Sequence, residues 1–164
     1  MSTTLPVPIE FRLPDGWRPA PPDEVGAPDV AFVALHPKPD GHFTANITID
    51  GDYRPDDSPL ADIADESVER MRSIAGSVVL TGRQEVGTED APALTQQLSF
   101  TAVLRGERTA LLQTQVYLSM LDENDPHQRA VIRLALTATA GQHDDVLGDF
   151  QEFVRSVGPD TGAE

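Results

Sequence analysis

The hydrophobic positions near the end of the chain follow the period of an α-helix. Apolar residues recur every three or four positions from Val146 to Val157, and they form a stripe about 100° wide. Asp144 and Asp145 lie at the start of this segment, where the helix dipole favours negative charge. Gly158 and Pro159 follow its last apolar residue. The pattern therefore predicts a helix that ends just before Gly158.

A second helix is predicted where Ser58 and Pro59 precede another run of helical period. Serine is a favoured N-cap, and proline is accepted at the first helical position. Apolar residues then recur from Leu60 to Ala75, while acidic residues occupy the opposite side of the helix. Gly76 is a suitable residue for the end of this helix.

Elsewhere the hydrophobic period is two, which predicts β-strands. Val78–Val86 is one strand, and three longer segments with alternating apolar residues end near Leu104, Met120 and Ala138. A tight reversal at Arg105-Gly106-Glu107 separates the first two of these long strands. The segments therefore predict an antiparallel meander after the first helix.

The first third of the chain is expected to consist of short extended pieces, because most of the 14 prolines precede residue 60. Strands are predicted at 9–13, 30–35 and 43–49. Pro14-Asp15-Gly16 has the composition of a turn. The single tryptophan, Trp17, follows this turn, and its ring is expected to cover one end of the core.

The order of elements is three strands, a helix, four strands and a helix, which predicts an α+β domain. We expect an antiparallel sheet of six to seven strands packed with two main α-helices. The 164 residues suit a single domain of ordinary size. We place this domain at 9–157, with a flexible N-terminus at 1–8 and a flexible C-terminal tail at 158–164.

The charge and composition of the chain exclude several classes of partner and of chemical site. The formal net charge of −15 opposes binding to nucleic acid and to anionic lipids. The absence of cysteine removes disulfides, thiol nucleophiles and thiolate metal sites. No apolar stretch is long enough to span a membrane, and the N-terminus lacks the pattern of a signal peptide. We therefore expect a cytoplasmic protein.

The motifs of common catalytic and cofactor sites are absent from the sequence, including the nucleophile elbow, the phosphate-binding loop and the dinucleotide fingerprint. The acidic run from Asp50 to Asp57 lacks the glycine and glutamate that a calcium-binding EF-hand loop requires. His36 and His42 flank one hairpin without a third ligand, and His143 is expected on the surface. We predict no catalytic residue, no cofactor and no metal ion.

One surface stands out for its polar, weakly charged composition. The reverse sides of the three long strands are rich in Gln, Thr and Tyr, and together they would form a face that binds a partner without burying charge. A solvated face, or a face partly covered by a helix, would show the same pattern. The residues that we expect to bind a partner are Gln97, Thr101, Gln113, Gln115, Tyr117 and Arg133.

Three segments carry a resemblance to a known family: Phe11-Arg12-Leu13-Pro14-Asp15-Gly16-Trp17, the strand from Gly41 to Ile49, and the closing Phe150-x-x-Phe153-Val154-x-Ser156 helix. Over residues 9–157 the chain resembles the LpqN-like family of bacterial lipoproteins, whose fold is similar to that of PsbP. The same fold is similar to that of cytosolic adaptor chaperones of secretion systems and of a GTPase-binding import factor. The resemblance implies an antiparallel sheet sandwiched with helices, and binding to other proteins.

The main functional hypothesis is a non-enzymatic protein-binding or adaptor domain that uses the polar sheet face. Its partner would be a second copy of the chain, which would make a homodimer, or another protein. A protein with a basic surface is one candidate for that partner. One alternative is a small-ligand binder or enzyme with a pocket between sheet and helices, near Trp17, His36 and His42. Another is a secretion-linked chaperone or immunity-type protein whose acidic surface covers a basic partner.

Overall fold

The structure is a computed structural model. It describes residues 9–21, 30–39, 41, 43–54, 59–75, 77–87, 92–121 and 129–159. The strands are β1 (Ile9–Glu10), β2 (Arg18–Ala20), β3 (Phe32–Leu35), β4 (Asn46–Tyr53), β5 (Val78–Gly87), β6 (Pro92–Leu104), β7 (Glu107–Leu121), β8 (Arg129–Thr139) and β9 (Gly158–Pro159). The helices are α1 (Leu60–Ala75) and α2 (His143–Ser156).

The main sheet has seven antiparallel strands in the order β2-β3-β4-β8-β7-β6-β5. The two helices pack on opposite sides of this sheet, because alternate residues of the central strands contact one helix or the other. The predicted α+β fold, with six to seven antiparallel strands and two helices, is therefore confirmed.

The larger core lies between α2 and the sheet. Alternate residues of β4 and β8 supply its fully buried aliphatic side chains, and α2 supplies two phenylalanines from its apolar stripe. The central members of this core are Ile47, Ile49, Ile132, Leu134, Leu136, Phe150 and Phe153.

The core on the α1 side is smaller and is divided into two clusters. Leu60, Ile63 and Ala64 pack against side chains of β6, β7 and β8. Further along the helix, Val68 packs against Val78 and Leu98. α1 contacts β5, β6 and β7, whereas α2 contacts β8 on the other side of the sheet. Within the described ranges, the α2 side of β5 and β6 is therefore not covered by a helix.

The N-terminal segment differs in part from its prediction. Only Ile9 and Glu10 form a strand, and they pair with Gly158 and Pro159 outside the main sheet. Those two residues were assigned by the sequence to the flexible tail, but here they pair with the start of the domain. The three-residue edge strand β2 was not predicted, because Pro19 weakens the strand pattern; a proline is nonetheless accepted on a sheet edge.

Trp17 lies in the α2-side core and is only 5% exposed. Gly16 has a φ of 89°, which completes the predicted turn, and the Trp17 N–H donates to the Pro14 carbonyl at 3.2 Å. The indole N–H donates to Asp149 Oδ2 at 3.0 Å and so connects the turn to α2. The indole therefore fills the end of the core, as its position after the turn predicts.

Candidate functional site

The six residues predicted to form one partner-binding face lie on two different sides of the sheet. In the β6–β7 hairpin, Gln97 is paired with Thr114 and Gln113 is paired with Leu98. Directly paired residues share a side of the sheet, so Gln97 and Gln113 point in opposite directions. The expectation of a single face is wrong: Gln97 and Thr101 are on the α2 side, and the remaining four are on the α1 side.

The hairpin turn is the physical reason for this difference. Leu104 pairs with Glu107, so the loop contains only Arg105 and Gly106, which have φ values of 51° and 83°. Such a two-residue loop with two positive φ values is typical of tight hairpins. It places odd-numbered residues of β6 beside even-numbered residues of β7. An interpretation of Arg105-Gly106 as a two-residue turn would have predicted the correct faces from sequence.

On the α1 side, the polar side chains form a hydrogen-bonded row beneath the helix. Gln96 Nε2 donates to Gln115 Oε1 at 2.7 Å, and Gln115 Nε2 donates to Gln113 Oε1 at 2.5 Å. Gln113 Nε2 continues the row by donating to Thr137 Oγ1 at 2.8 Å, and Tyr117 Oη donates to Gln115 Oε1 at 2.9 Å. We refer to these five residues as the glutamine row.

The glutamine row is an internal structure and not an open face. Gln115 and Tyr117 are 1% and 2% exposed, and Gln96 Nε2 also lies 3.3 Å from the Ala64 carbonyl of α1. Burial raises the pKa of Tyr117, so its hydroxyl stays protonated and can donate at neutral pH. Since these polar groups satisfy one another, their burial stabilises one arrangement of the helix on the sheet. A partner cannot reach Gln115 or Tyr117 in this arrangement.

Arg133 is also held inside the α1 side. Its guanidinium forms an ion pair with Asp50 of β4 and donates to the buried Ser67 Oγ at 2.7 Å. Arg70 donates to the same hydroxyl at 3.2 Å. Burial raises the pKa of Asp50, and the charge of Arg133 opposes this effect. Arg133 therefore joins β4, β8 and α1, and its charge is compensated within the chain.

The open part of the sheet lies on the α2 side of β5 and β6. We define the uncharged face as the residues of these two strands that point to that side. They are Val79, Gly82, Gln84, Val86, Ala93, Thr95, Gln97, Ser99, Thr101 and Val103. None of them carries a charge, although charged residues make up 24% of the chain. Gln97 and Thr101, two of the six predicted residues, belong to this face.

Exposed aliphatic side chains are concentrated on the same face. Among the described residues, the exposed large hydrophobic side chains are Val79, Leu80, Val86 and Val103, and all but Leu80 point to the α2 side. Val103 is 67% exposed. The strand at Val78–Val86 was predicted, but the exposure of its valines on this face was not. The run Val78-Val79-Leu80 was an available signal, because three consecutive apolar residues in a strand place at least one on each side.

A shallow groove marks the boundary between α2 and the uncharged face. Gln84, Thr95 and Gln97 line it from the sheet, and Leu147 and Gln151 line it from α2. Thr81 Oγ1 lies 3.1 Å from Gln97 Oε1, at the bulge between Leu80 and Gly82. The groove offers amide and hydroxyl groups beside an aliphatic side chain, a combination typical of protein contacts.

The candidate metal and histidine sites find little support in the described residues. No group of three His, Cys, Asp or Glu side chains in the described ranges could hold a metal ion. Asp56, Asp57, His42 and His127 lie outside those ranges. His36 Nδ1 is 2.9 Å from the Lys38 carbonyl, and its ring packs edge-on against Trp17 with centroids 5.1 Å apart.

His143 is buried, contrary to the expectation of a surface residue. It is the first residue of α2 and its side chain is fully inaccessible. Its Nε2 lies 2.9 Å from Thr114 Oγ1, and its Nδ1 has no hydrogen-bond partner among the described residues. Burial lowers the pKa of His143, and the neighbouring Asp144 opposes the effect. His143 is therefore neutral at pH 7 and serves to join α2 to β7.

Comparison with known proteins identifies solved structures that share this fold. No family model matches the sequence, and no curated protein matches it. Among solved structures, the crystal structure of LpqN from Mycobacterium tuberculosis, described as involved in cell envelope biogenesis, matches with a TM-score of 0.64 and 14% identity. That match covers 91% of this chain and 81% of LpqN.

Two further structures have the same architecture. The Ran-binding protein Mog1p of Saccharomyces cerevisiae matches with a TM-score of 0.59 and 17% identity, over 92% of this chain and 89% of Mog1p. Cyanobacterial PsbP from Synechocystis matches with a TM-score of 0.58 and 14% identity, over 93% of this chain and 86% of PsbP. The predicted likeness in fold to LpqN and PsbP is thus confirmed. Neither helix of the described chain is long and apolar enough to cross a membrane.

Proposed function

We propose that this chain is a non-enzymatic protein-binding domain that contacts its partner through the uncharged face. The observation that carries the proposal is the absence of charge on the α2 side of β5 and β6, together with the exposure of Val79, Val86 and Val103. The partner-binding role predicted for Gln97 and Thr101 is retained. We assign the glutamine row and Arg133 a structural role, in which they hold α1 against the opposite side of the sheet.

The electrostatics of the whole chain support this choice of surface. A protein with a net charge of −15 repels other acidic molecules at most of its surface. An interface core is depleted of charged residues, because burying an unpaired charge is costly. The uncharged face meets this condition, whereas the exposed side of α1 carries Asp62, Asp65, Glu66 and Glu69.

The comparison with Mog1p supports the class of function. Mog1p is named as a Ran-binding protein, so this architecture serves protein recognition in at least one case. Fold similarity at 17% identity does not transfer the partner, and we propose only that the present chain binds a protein. A basic partner would be attracted by the acidic surface around the face, and its association would slow as salt is added. The cytoplasmic location predicted from the sequence stays a prediction, which fractionation of the native cells would test.

Charge insertion into the uncharged face tests the proposal. The tagged chain is used to capture proteins from lysate of its native cells, in parallel with Thr101→Arg and Val103→Asp variants. The unpaired charge of Thr101→Arg should weaken the interaction by on the order of 3 kcal/mol, or roughly a hundredfold in Kd. Val103→Asp should have a smaller effect, because Arg108 lies opposite position 103 on the same side of the sheet. We therefore expect both variants to lose a protein that the unmodified chain retains.

The matched control is Ser73→Arg, since Ser73 is an exposed residue of α1 on the other side of the sheet. This variant should retain the partner. Equal recovery with all four proteins would exclude the uncharged face as the binding surface. Loss of the partner with Ser73→Arg alone would indicate that the partner binds to α1 and not to the uncharged face.

A further inference from the structure

The outer edge of β5 is the longest unpaired strand edge of the main sheet. β5 has 10 residues, of which 8 are exposed, and no described strand pairs with its outer side. The opposite edge is the three-residue strand β2, whose Pro19 discourages further pairing. A long, exposed edge presents a row of backbone N–H and C=O groups that can accept another strand.

We propose that β5 pairs in antiparallel fashion with β5 of a second copy of this chain, about a two-fold axis at Gln84. In this register Arg83 lies opposite Glu85 of the partner subunit, and Glu85 lies opposite Arg83 of the partner subunit. Oppositely charged residues that face each other across an antiparallel pair attract. The order of positive, neutral and negative residues at 83–85 therefore makes the strand complementary to itself. Within its own chain Arg83 contacts Asp65 at 2.7 Å and donates to Gln96 Oε1 at 2.7 Å, so Glu85 of the partner subunit would share this guanidinium with Asp65.

The sides of the sheet agree with this register. Arg83 pairs with Gln96 and Glu85 pairs with Leu94, so both charges are on the α1 side. Gln84 and Val86 point to the α2 side, where the uncharged face begins. On the α2 side the residues at the junction, Gly82, Gln84 and Val86, are uncharged, so this side adds no repulsion between two chains of net charge −15. The bulge between Leu80 and Gly82 limits regular pairing to the segment after it.

The pairing would double the binding surface. An antiparallel pair about this axis places directly opposite side chains on one side of the extended sheet. The uncharged faces of the two copies would become continuous, and both copies of α2 would flank them. This inference rests on the proposed function in that it gives the partner-binding face a two-fold symmetric form. It identifies a second copy of the chain as what covers the edge of β5.

Disulfide trapping tests the register directly, because the chain contains no cysteine. In Gln84→Cys, two thiols on the axis have Cα atoms about 5 Å apart, within the range that a disulfide spans. In the control Val79→Cys, the same strand carries thiols roughly 30 Å apart in the proposed register. We expect mild oxidation to convert Gln84→Cys, and not Val79→Cys, into a covalent dimer.

Light scattering after size exclusion supplies the second measurement. The unmodified chain should have twice the monomer mass of 17.7 kDa at high concentration. Glu85→Arg places arginine against arginine across the axis and should weaken the dimer at least tenfold. Glu152→Arg makes the same change of charge on the exposed side of α2 and should leave the dimer intact.

A monomer at every concentration, or efficient trapping at 79 in place of 84, would overturn the pairing. Equal dimerisation of Glu85→Arg and the unmodified chain would overturn it as well. These outcomes are separate from a failure of the proposed function, which is measured by capture of a different protein with Thr101→Arg and Val103→Asp. A monomeric chain that still loses its partner in those variants would retain the proposed function without the dimer.

Discussion

Replacement of Gln115 by leucine should destabilise the fold without affecting the uncharged face. Gln115 Oε1 accepts hydrogen bonds from Gln96 and Tyr117, and Gln115 Nε2 donates to Gln113. Leucine has a similar size but has no polar group. The substitution therefore removes a hydrogen-bond partner from Gln96 Nε2, Tyr117 Oη and Gln113 Oε1 in a region closed by α1, and of these three atoms Gln96 Nε2 keeps the Ala64 carbonyl.

The magnitude follows from the cost of unsatisfied polar groups. Each buried donor or acceptor that loses its partner costs about 1–3 kcal/mol. Burial of the leucine side chain offsets part of this cost, by about 1–2 kcal/mol. We expect Gln115→Leu to lower the free energy of unfolding by about 3 kcal/mol, a large fraction of the 5–15 kcal/mol typical of a domain.

Urea denaturation followed by fluorescence of the single, buried Trp17 measures this loss. The midpoint should fall by roughly 1.5 M if the slope is about 2 kcal/mol/M, and the slope itself should not change. The control Gln151→Leu, at an exposed position of α2, should stay within about 0.5 kcal/mol of the unmodified chain.

A stability of Gln115→Leu equal to that of Gln151→Leu would refute the assignment of the glutamine row to the interior. Capture of the partner provides the second criterion, because folded Gln115→Leu should retain it. Loss of the partner by a fully folded variant would show that the α1 side of the sheet takes part in binding.

Three further predictions concern stability. The pKa of His143 is lowered in the folded chain, so the stability that its neutral form contributes is present above its ordinary pKa of about 6.5 and declines as the pH falls below it; in urea titrations at several pH values, His143→Gln should lack this part of the decline. Gly106→Ala should cost about 1–2 kcal/mol in urea denaturation, because Gly106 has a φ of 83°; an unchanged midpoint would contradict the two-residue turn. Asp149→Ala should lower the thermal midpoint by a few degrees and shift the emission of Trp17, since it removes the acceptor of the indole N–H; an unchanged spectrum would argue against that hydrogen bond.

The helices and long strands were predictable because their signals are local. The apolar stripes of α1 and α2 depend on residues within a few turns of each other. Ser58, the predicted cap of α1, lies outside the described residues. β2 carries no comparable pattern, and of the strand predicted at 9–13 only Ile9–Glu10 is formed. Ile9–Glu10 becomes a strand only by pairing with Gly158–Pro159, about 150 residues later in the chain.

Of the residues predicted to bind a partner, Gln97 and Thr101 lie on the side of the sheet that α2 leaves open, while Gln115 and Tyr117 are buried under α1. Partner binding by Gln97 and Thr101 stays a prediction. Composition alone does not distinguish a polar face that meets solvent from one that satisfies its own hydrogen bonds under a helix. The buried state of Gln115 depends on Gln96 from one neighbouring strand and on α1 from above. These contacts join segments that are distant in sequence.

The sequence by itself determined the class of fold and the order of its two helices and long strands, because the spacing of apolar residues along each segment selects a helix or a strand. It also determined that each long strand would have one apolar and one more polar side. Only the tertiary structure decided which sides lie together and which are covered. The two-residue turn at Arg105-Gly106 set the register of β6 against β7, and the packing of α1 and α2 on opposite sides then left the α2 side of β5 and β6 exposed.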